Sequence, residues 1–114
     1  MWICFNDGFV SAVEDWNDKS MLRVRARKRE HLEFLNVPIQ QDQGTDYKFR
    51  CFINKESFAD IVKQRILNID YGNFKSSVTD RNLHDLYANF WELHYDYQIA
   101  HYGYRRLVPN GNSN

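Results

Sequence analysis

Leu22-Arg23-Val24-Arg25-Ala26-Arg27 alternates apolar and cationic side chains without a break. Successive side chains of a β-strand point to opposite faces, so this period of two predicts a strand with Leu22, Val24 and Ala26 on one side and Arg23, Arg25 and Arg27 on the other. A strand that buries one face and shows charge on the other belongs in an antiparallel sheet covered on one side. Upstream, Trp2-Ile3-Cys4-Phe5 and Phe9-Val10-Ser11-Ala12-Val13 read as two more strands. They are joined at Asn6-Asp7-Gly8, where Asp-Gly is expected to supply the positive φ of a tight hairpin turn. The polar turn Trp16-Asn17-Asp18-Lys19 then leads into the arginine strand at Met21, which makes a three-strand meander.

Downstream of Lys28 the period changes. Leu32, Phe34 and Leu35 recur at helical spacing before Pro38, predicting a short helix over residues 29–35, and Pro38 and Gly44 bracket a loop. Alternation returns over residues 47–53, with Tyr47, Phe49, Cys51 and Ile53 on one side and Lys48, Arg50 and Phe52 on the other. Asn54 is placed to cap a helix whose stripe is Phe58, Ile61, Val62, Ile66 and Ile69, with Gly72 as its left-handed stop. A last helix starts from a capping box at Ser77 and Asp80, or from Thr79 as the cap. It runs along Leu83, Leu86, Tyr87, Phe90, Leu93, Tyr97 and Ala100 to Gly103.

These elements predict an α+β fold: a two-layer sandwich in the order β-β-β-α-β-α-α, with a four-stranded, mainly antiparallel sheet. Two C-terminal amphipathic helices cover one sheet face, burying Phe58, Val62, Ile66, Leu86, Phe90 and Leu93 against it. Residues 1–103 read as a single domain and residues 104–114 as a flexible tail.

Composition narrows the classes of function. A chain of 114 residues fits one domain, and 16% aromatic content requires rings in the core and leaves some outside it. Fifteen basic and fifteen acidic residues give zero formal net charge, so attraction to a polyanion has to be local. Residues 1–18 hold four acids and no Lys or Arg, whereas residues 19–50 hold eight bases against four acids. The two cysteines, Cys4 and Cys51, read as unpaired buried thiols in a reducing compartment. No apolar run approaches the ~20 residues of a membrane span and the N-terminus lacks a signal-peptide pattern, which points to a cytoplasmic protein.

Catalysis finds little support. Of the four histidines, His84, His94 and His101 fall on the last helix, but zinc chemistry asks for a third ligand and usually an i, i+4 histidine pair or a Cys-x-x-Cys element, and neither of these is in the sequence. Glu92 and Asp96 stand one turn apart, a spacing far more common on solvated helix faces than in catalytic carboxylate pairs. Neither cysteine precedes a helix N-terminus that would lower its pKa, and phosphate-loop, dinucleotide and Gly-x-Ser-x-Gly motifs are absent. No catalytic residue, metal or cofactor is therefore assigned, and an unrecognised small enzyme ranks third among the readings.

Several phrases carry a resemblance: Val24-Arg25-Ala26-Arg27 followed by Glu30-His31-Leu32, then Asp46-Tyr47-Lys48-Phe49-Arg50, Ile69-Asp70-Tyr71-Gly72-Asn73-Phe74-Lys75, and Leu83-His84-Asp85-Leu86-Tyr87 with Trp91. Over residues 1 to 98 the chain resembles a family of small uncharacterised proteins from bacterial and phage genomes. The resemblance implies a bacterial or phage setting; that family has no assigned activity, so no site residue is carried over.

Binding needs only a surface, and two are legible. In the first reading Trp91, Tyr95, Tyr102 and Tyr104 lie off the core stripe of the last helix and form an aromatic face for a protein partner or a second copy of the chain. The chain is then a non-enzymatic interaction module, an adaptor or inhibitor, with interference in a host defence complex as one fitting role. The alternative reading puts Arg23, Arg25, Arg27, Lys48, Arg50 and Phe52 on one sheet face as a nucleic-acid platform. Against the platform stands neutralisation of the arginines by Glu14 or Asp15 on an adjoining strand.

Overall fold

The arginine stretch forms the centre of a five-stranded antiparallel sheet. The computed structural model describes residues 1–41 and 46–102. Its strands are β1 (Trp2–Phe5), β2 (Gly8–Glu14), β3 (Met21–Ala26), β4 (Gln40–Gln41) and β5 (Phe49–Asn54), in the spatial order β1-β2-β3-β5-β4. The expected sheet had four strands; the fifth, β4, is two residues long and lies in the stretch read as a loop. Two residues are too few to show a period. Residues 42–45, with the anticipated Gly44 turn, lie outside the described residues.

The alternation of β3 does what its period requires. Val24 and Ala26 are fully buried and join Val10, Ala12, Cys51 and Ile53 in the core on one sheet face, while Arg23 and Arg25 project from the other. The core face is covered by α1 (Lys55–Leu67), which contributes Phe58, Ile61 and Val62, and by two consecutive 3-10 turns, Arg29–His31 and Glu33–Leu35, which contribute Leu32 and Leu35. Those turns stand where one short helix was expected. Asn36 ends them in the left-handed region at φ 54°, the one positive φ among the described non-glycine residues. A left-handed residue reverses the chain after a single turn, so a longer helix cannot propagate.

Two glycines have roles other than those expected. Gly8 closes the β1–β2 hairpin opposite Phe5 without a positive φ; a Cβ there would stand 2.9 Å from the side chain of His31, so the position needs room rather than backbone freedom. His31 in turn accepts a hydrogen bond from the Phe9 N–H at 3.3 Å. Gly72 does not stop α1, which ends at Leu67 with Asn68 as its C-cap. Ile66 and Ile69, read as core stripe, are exposed. At the other end Asn54 caps α1 as expected, its Oδ1 accepting from the N–H groups of Glu56 and Ser57.

A staple ties α1 to the hairpin. The Arg65 guanidinium donates to both carboxylate oxygens of Asp7, at 2.6 and 3.3 Å, and lies over the rings of Phe5 and Phe34 at 4.6 and 4.7 Å. At the β2 end, Glu14 pairs with Lys55 at 2.8 Å.

The chain divides into two compact units, one ending at Asp70 and the other beginning at Tyr71. The second contains α2 (Phe74–Ser77), capped by Asn73, and α3 (Arg81–Tyr102). Asp80, rather than Ser77 or Thr79, caps α3 by accepting from the Leu83 N–H at 3.0 Å. Leu83 and Tyr87 are buried, with Phe74 packed on Tyr87, but Leu86, Leu93 and Tyr97 of the expected stripe are exposed. The buried line instead advances in steps of four, from Leu83 through Tyr87 to the half-buried Trp91 and Tyr95. Gly103 and residues 104–114 lie outside the described residues.

Candidate functional site

Register brings the arginines together. Ser11, Arg25 and Arg50 are successive cross-strand partners on β2, β3 and β5, and Trp2 and Gln40 extend the same row to the two edge strands. The adjacent row is Val13, Arg23 and Phe52. Cross-strand partners share a face, so Arg23, Arg25, Arg50 and Phe52 stand side by side on the face opposite the core.

Arg25 directly opposite Arg50 is a like-charge pair, an arrangement that destabilises a sheet unless something lies between or beside the charges. Arg25 donates from Nη2 to the Ser11 hydroxyl at 3.0 Å and stacks on Tyr47 at 4.7 Å; Arg23 lies 4.5 Å from the centre of the Trp16 ring. Neither makes an ion pair with a carboxylate of the described residues. Their Nε–H groups are buried without an acceptor. Neutralisation by Glu14 does not occur, because Glu14 is opposite Leu22 on the core-facing side and its carboxylate is held by Lys55. Asp15 makes no ion pair with either arginine.

Two of the expected basic residues stand apart. Arg27 follows the end of β3 and is paired with Asp46, at 3.6 Å to the carboxylate and 3.3 Å to the backbone carbonyl. Lys48 precedes the first residue of β5 and is exposed, outside the ladder. Tyr47 was expected on the core side of that strand, but it lies ahead of it, buried, with the guanidinium groups of Arg25 and Arg27 against its ring at 4.7 and 4.2 Å. The strand starts two residues later than its alternation suggested, which frees Tyr47 from the pleat.

Two rings absent from the sequence-based site complete the face. Trp16, 82% exposed, reaches over Arg23 from the β2–β3 turn, and Trp2, 71% exposed, stands on β1 in the row of Arg25 with Phe9 edge-on at 5.7 Å. Trp2 was recoverable by continuing the β1 alternation, which sets Trp2 and Cys4 against Ile3 and Phe5. Trp16 was not, since a turn has no period. The turn itself is braced by Asp18, which accepts from the Ser20 hydroxyl at 2.6 Å and the Ser20 N–H at 3.0 Å; these bonds, the hydroxyl first, hold its carboxyl below the usual range.

The aromatic helix residues are placed differently. Trp91 and Tyr95 are half-buried and stacked at 5.4 Å, with the Lys75 ammonium 4.8 Å from the Trp91 ring. Tyr102 is exposed, and Tyr104 lies outside the described residues. His94 and His101 are exposed, and the described residues contain no group of three or more His, Cys, Asp or Glu side chains able to hold a metal. Among them, too, no helix is long and apolar enough to cross a membrane.

The arginine face thus offers fixed cations flanked by exposed indoles, a combination that suits phosphates and planar bases. No protein-family model matches the chain, and no curated protein and no solved structure does so either.

Proposed function

We propose that the chain is a binding domain for single-stranded nucleic acid and that the half-exposed sheet face around Arg23, Arg25 and Arg50 is its platform. The observation that carries this reading is the row Ser11-Arg25-Arg50, in which two arginines are cross-strand partners on central strands. A phosphate laid along this row accepts charge-assisted hydrogen bonds from guanidinium donors. Trp16 and Trp2 then serve as stacking surfaces for bases on either side of the bound phosphates. Single strands fit better than duplex, because a stacked helix hides the base faces that the indoles would meet.

The aromatic face of α3 ranks behind this reading, since Trp91 and Tyr95 stack on each other and belong to the half-buried line of their own unit. A ring already half-buried in its own unit has less area left to bury on a partner.

Fluorescence anisotropy of an end-labelled oligothymidylate titrated with the protein tests the proposal. Binding is expected to weaken with salt, with a log–log slope of about −2 for three displaced counterions. Joint Arg23→Glu and Arg25→Glu substitution is expected to abolish binding while thermal stability stays nearly unchanged. Salt-independent binding, or full binding by the double variant, refutes the platform.

A further inference from the structure

On the opposite side of the sheet from the arginines, within the first unit, a cavity of about 570 Å³ lies between β1–β3 and α1. Ile3, Ala12 and Leu22 form its floor and Phe58, Val62 and Ile66 its wall. This volume falls within the range of small-molecule sites. At its base the cavity meets the sheet core, where Ala12 and Phe58 are buried. The rim is apolar as well, since Met1, Ile66 and Leu67 line the cavity and are 77%, 60% and 65% exposed. An apolar cleft with an apolar rim favours an occupant that removes both from water.

The charges at the cavity select the chemistry of that occupant. Three ionisable side chains line it: Glu14, Lys55 and Lys63. Glu14 and Lys55 satisfy one another at 2.8 Å. Lys63, one turn before Leu67 on the solvent side of α1, is exposed and makes no ion pair with any carboxylate among the described residues. The lining asks for an apolar body, and the Lys63 ammonium beside it for an anionic end.

We propose that this cavity binds a free fatty acid, its alkyl chain between the sheet and α1 and its carboxylate at the Lys63 ammonium. A polar sugar or nucleotide would lose its hydration against this lining with nothing to replace it. A neutral hydrocarbon would leave Lys63 without a role in recognition. The site is separate from the arginine face and does not depend on the function proposed for it.

Isothermal titration of the full chain with dodecanoate below its micellar concentration, alongside neutral dodecanol, reads both halves of the proposal. One saturable site per chain is expected. Ala59→Trp, at an exposed α1 position lining the cavity, is expected to block uptake of both ligands while the unfolding temperature holds. Lys63→Glu is expected to weaken dodecanoate roughly fivefold and to leave dodecanol within about twofold, the size of effect an exposed ion pair exerts. Absence of saturable binding overturns the proposal, as does equal loss of both ligands in Lys63→Glu. Uptake of the chain only from phosphatidylcholine vesicles also overturns it. So does sedimentation showing a dimer that Ala59→Trp dissociates and dodecanoate does not, because the groove is then an interface between copies.

Discussion

Arg25 stands opposite Arg50 in the sheet register and is held by one hydroxyl and one ring. Changing it to Gln relieves the like-charge opposition and loses the stacking, so urea unfolding is expected to show a change below about 1 kcal/mol. Oligonucleotide affinity is expected to drop about tenfold, with a salt slope shallower by about one. Gly8 behaves in the opposite manner, as a residue with no functional group whose replacement is costly. In Gly8→Ala the new methyl meets His31 at 2.9 Å, and thermal denaturation is expected to register a loss of about 1–3 kcal/mol. The two cysteines separate by burial. Cys51 is fully buried and its thiol is pushed up to about 11 by desolvation, whereas Cys4 is exposed on the arginine face. Native protein at pH 8 is expected to take up one iodoacetamide per chain, at Cys4, and urea-unfolded protein two; mass spectrometry counts them. A raised thiol pKa means the folded state keeps a proton the unfolded state releases, so this contribution to stability is intact below the unfolded value of about 9 and declines as pH rises toward 11. Three strand spacings, roughly 14 Å, and opposite sheet faces keep Cys4 from reaching Cys51.

At the scale of elements, α1 is held at both ends by groups that are polar rather than greasy. Asn54 satisfies two N–H groups at its start, and Arg65 anchors its last turn to Asp7 while covering Phe5 and Phe34. Asn54→Ala is expected to cost about 1 kcal/mol. Arg65→Ala is expected to cost about 2 kcal/mol, because it removes a bidentate ion pair and uncovers two rings together. Asp7→Asn keeps the ring cover and is expected to lose less than half as much, a difference that guanidinium unfolding curves resolve. The 3-10 turns before β4 show where pattern reading stops. The apolar spacing of Leu32 and Leu35 is equally compatible with one short helix and with two single turns, and the left-handed conformation of Asn36 decides between them.

On the scale of the whole molecule, zero net charge coexists with a concentrated cationic face, because β3 and β5 bring their arginines together and three of the four acids in the first eighteen residues are engaged elsewhere, on Lys55, Arg65 and Ser20. Each compact unit has its own buried apolar residues. Residues 1–70 produced alone are therefore expected to unfold cooperatively and to retain oligonucleotide binding, which circular dichroism and anisotropy check together. The strands β1, β2, β3 and β5, the cap at Asn54 and the sidedness of Arg23, Arg25, Arg50 and Phe52 were determined by the sequence itself, since periods of two and of three to four and the chemistry of a cap are properties of neighbouring residues. Tertiary structure alone decided that Arg25 faces Arg50, that Trp16 returns over Arg23, that Tyr47 leaves its strand to lie between two guanidinium groups, and that α3 buries the line of Trp91 rather than that of Leu93. Each of these depends on register or on contacts between segments far apart in the chain, and on a helix ringed with aromatic residues several faces satisfy the same local pattern, so only the packed neighbours select one.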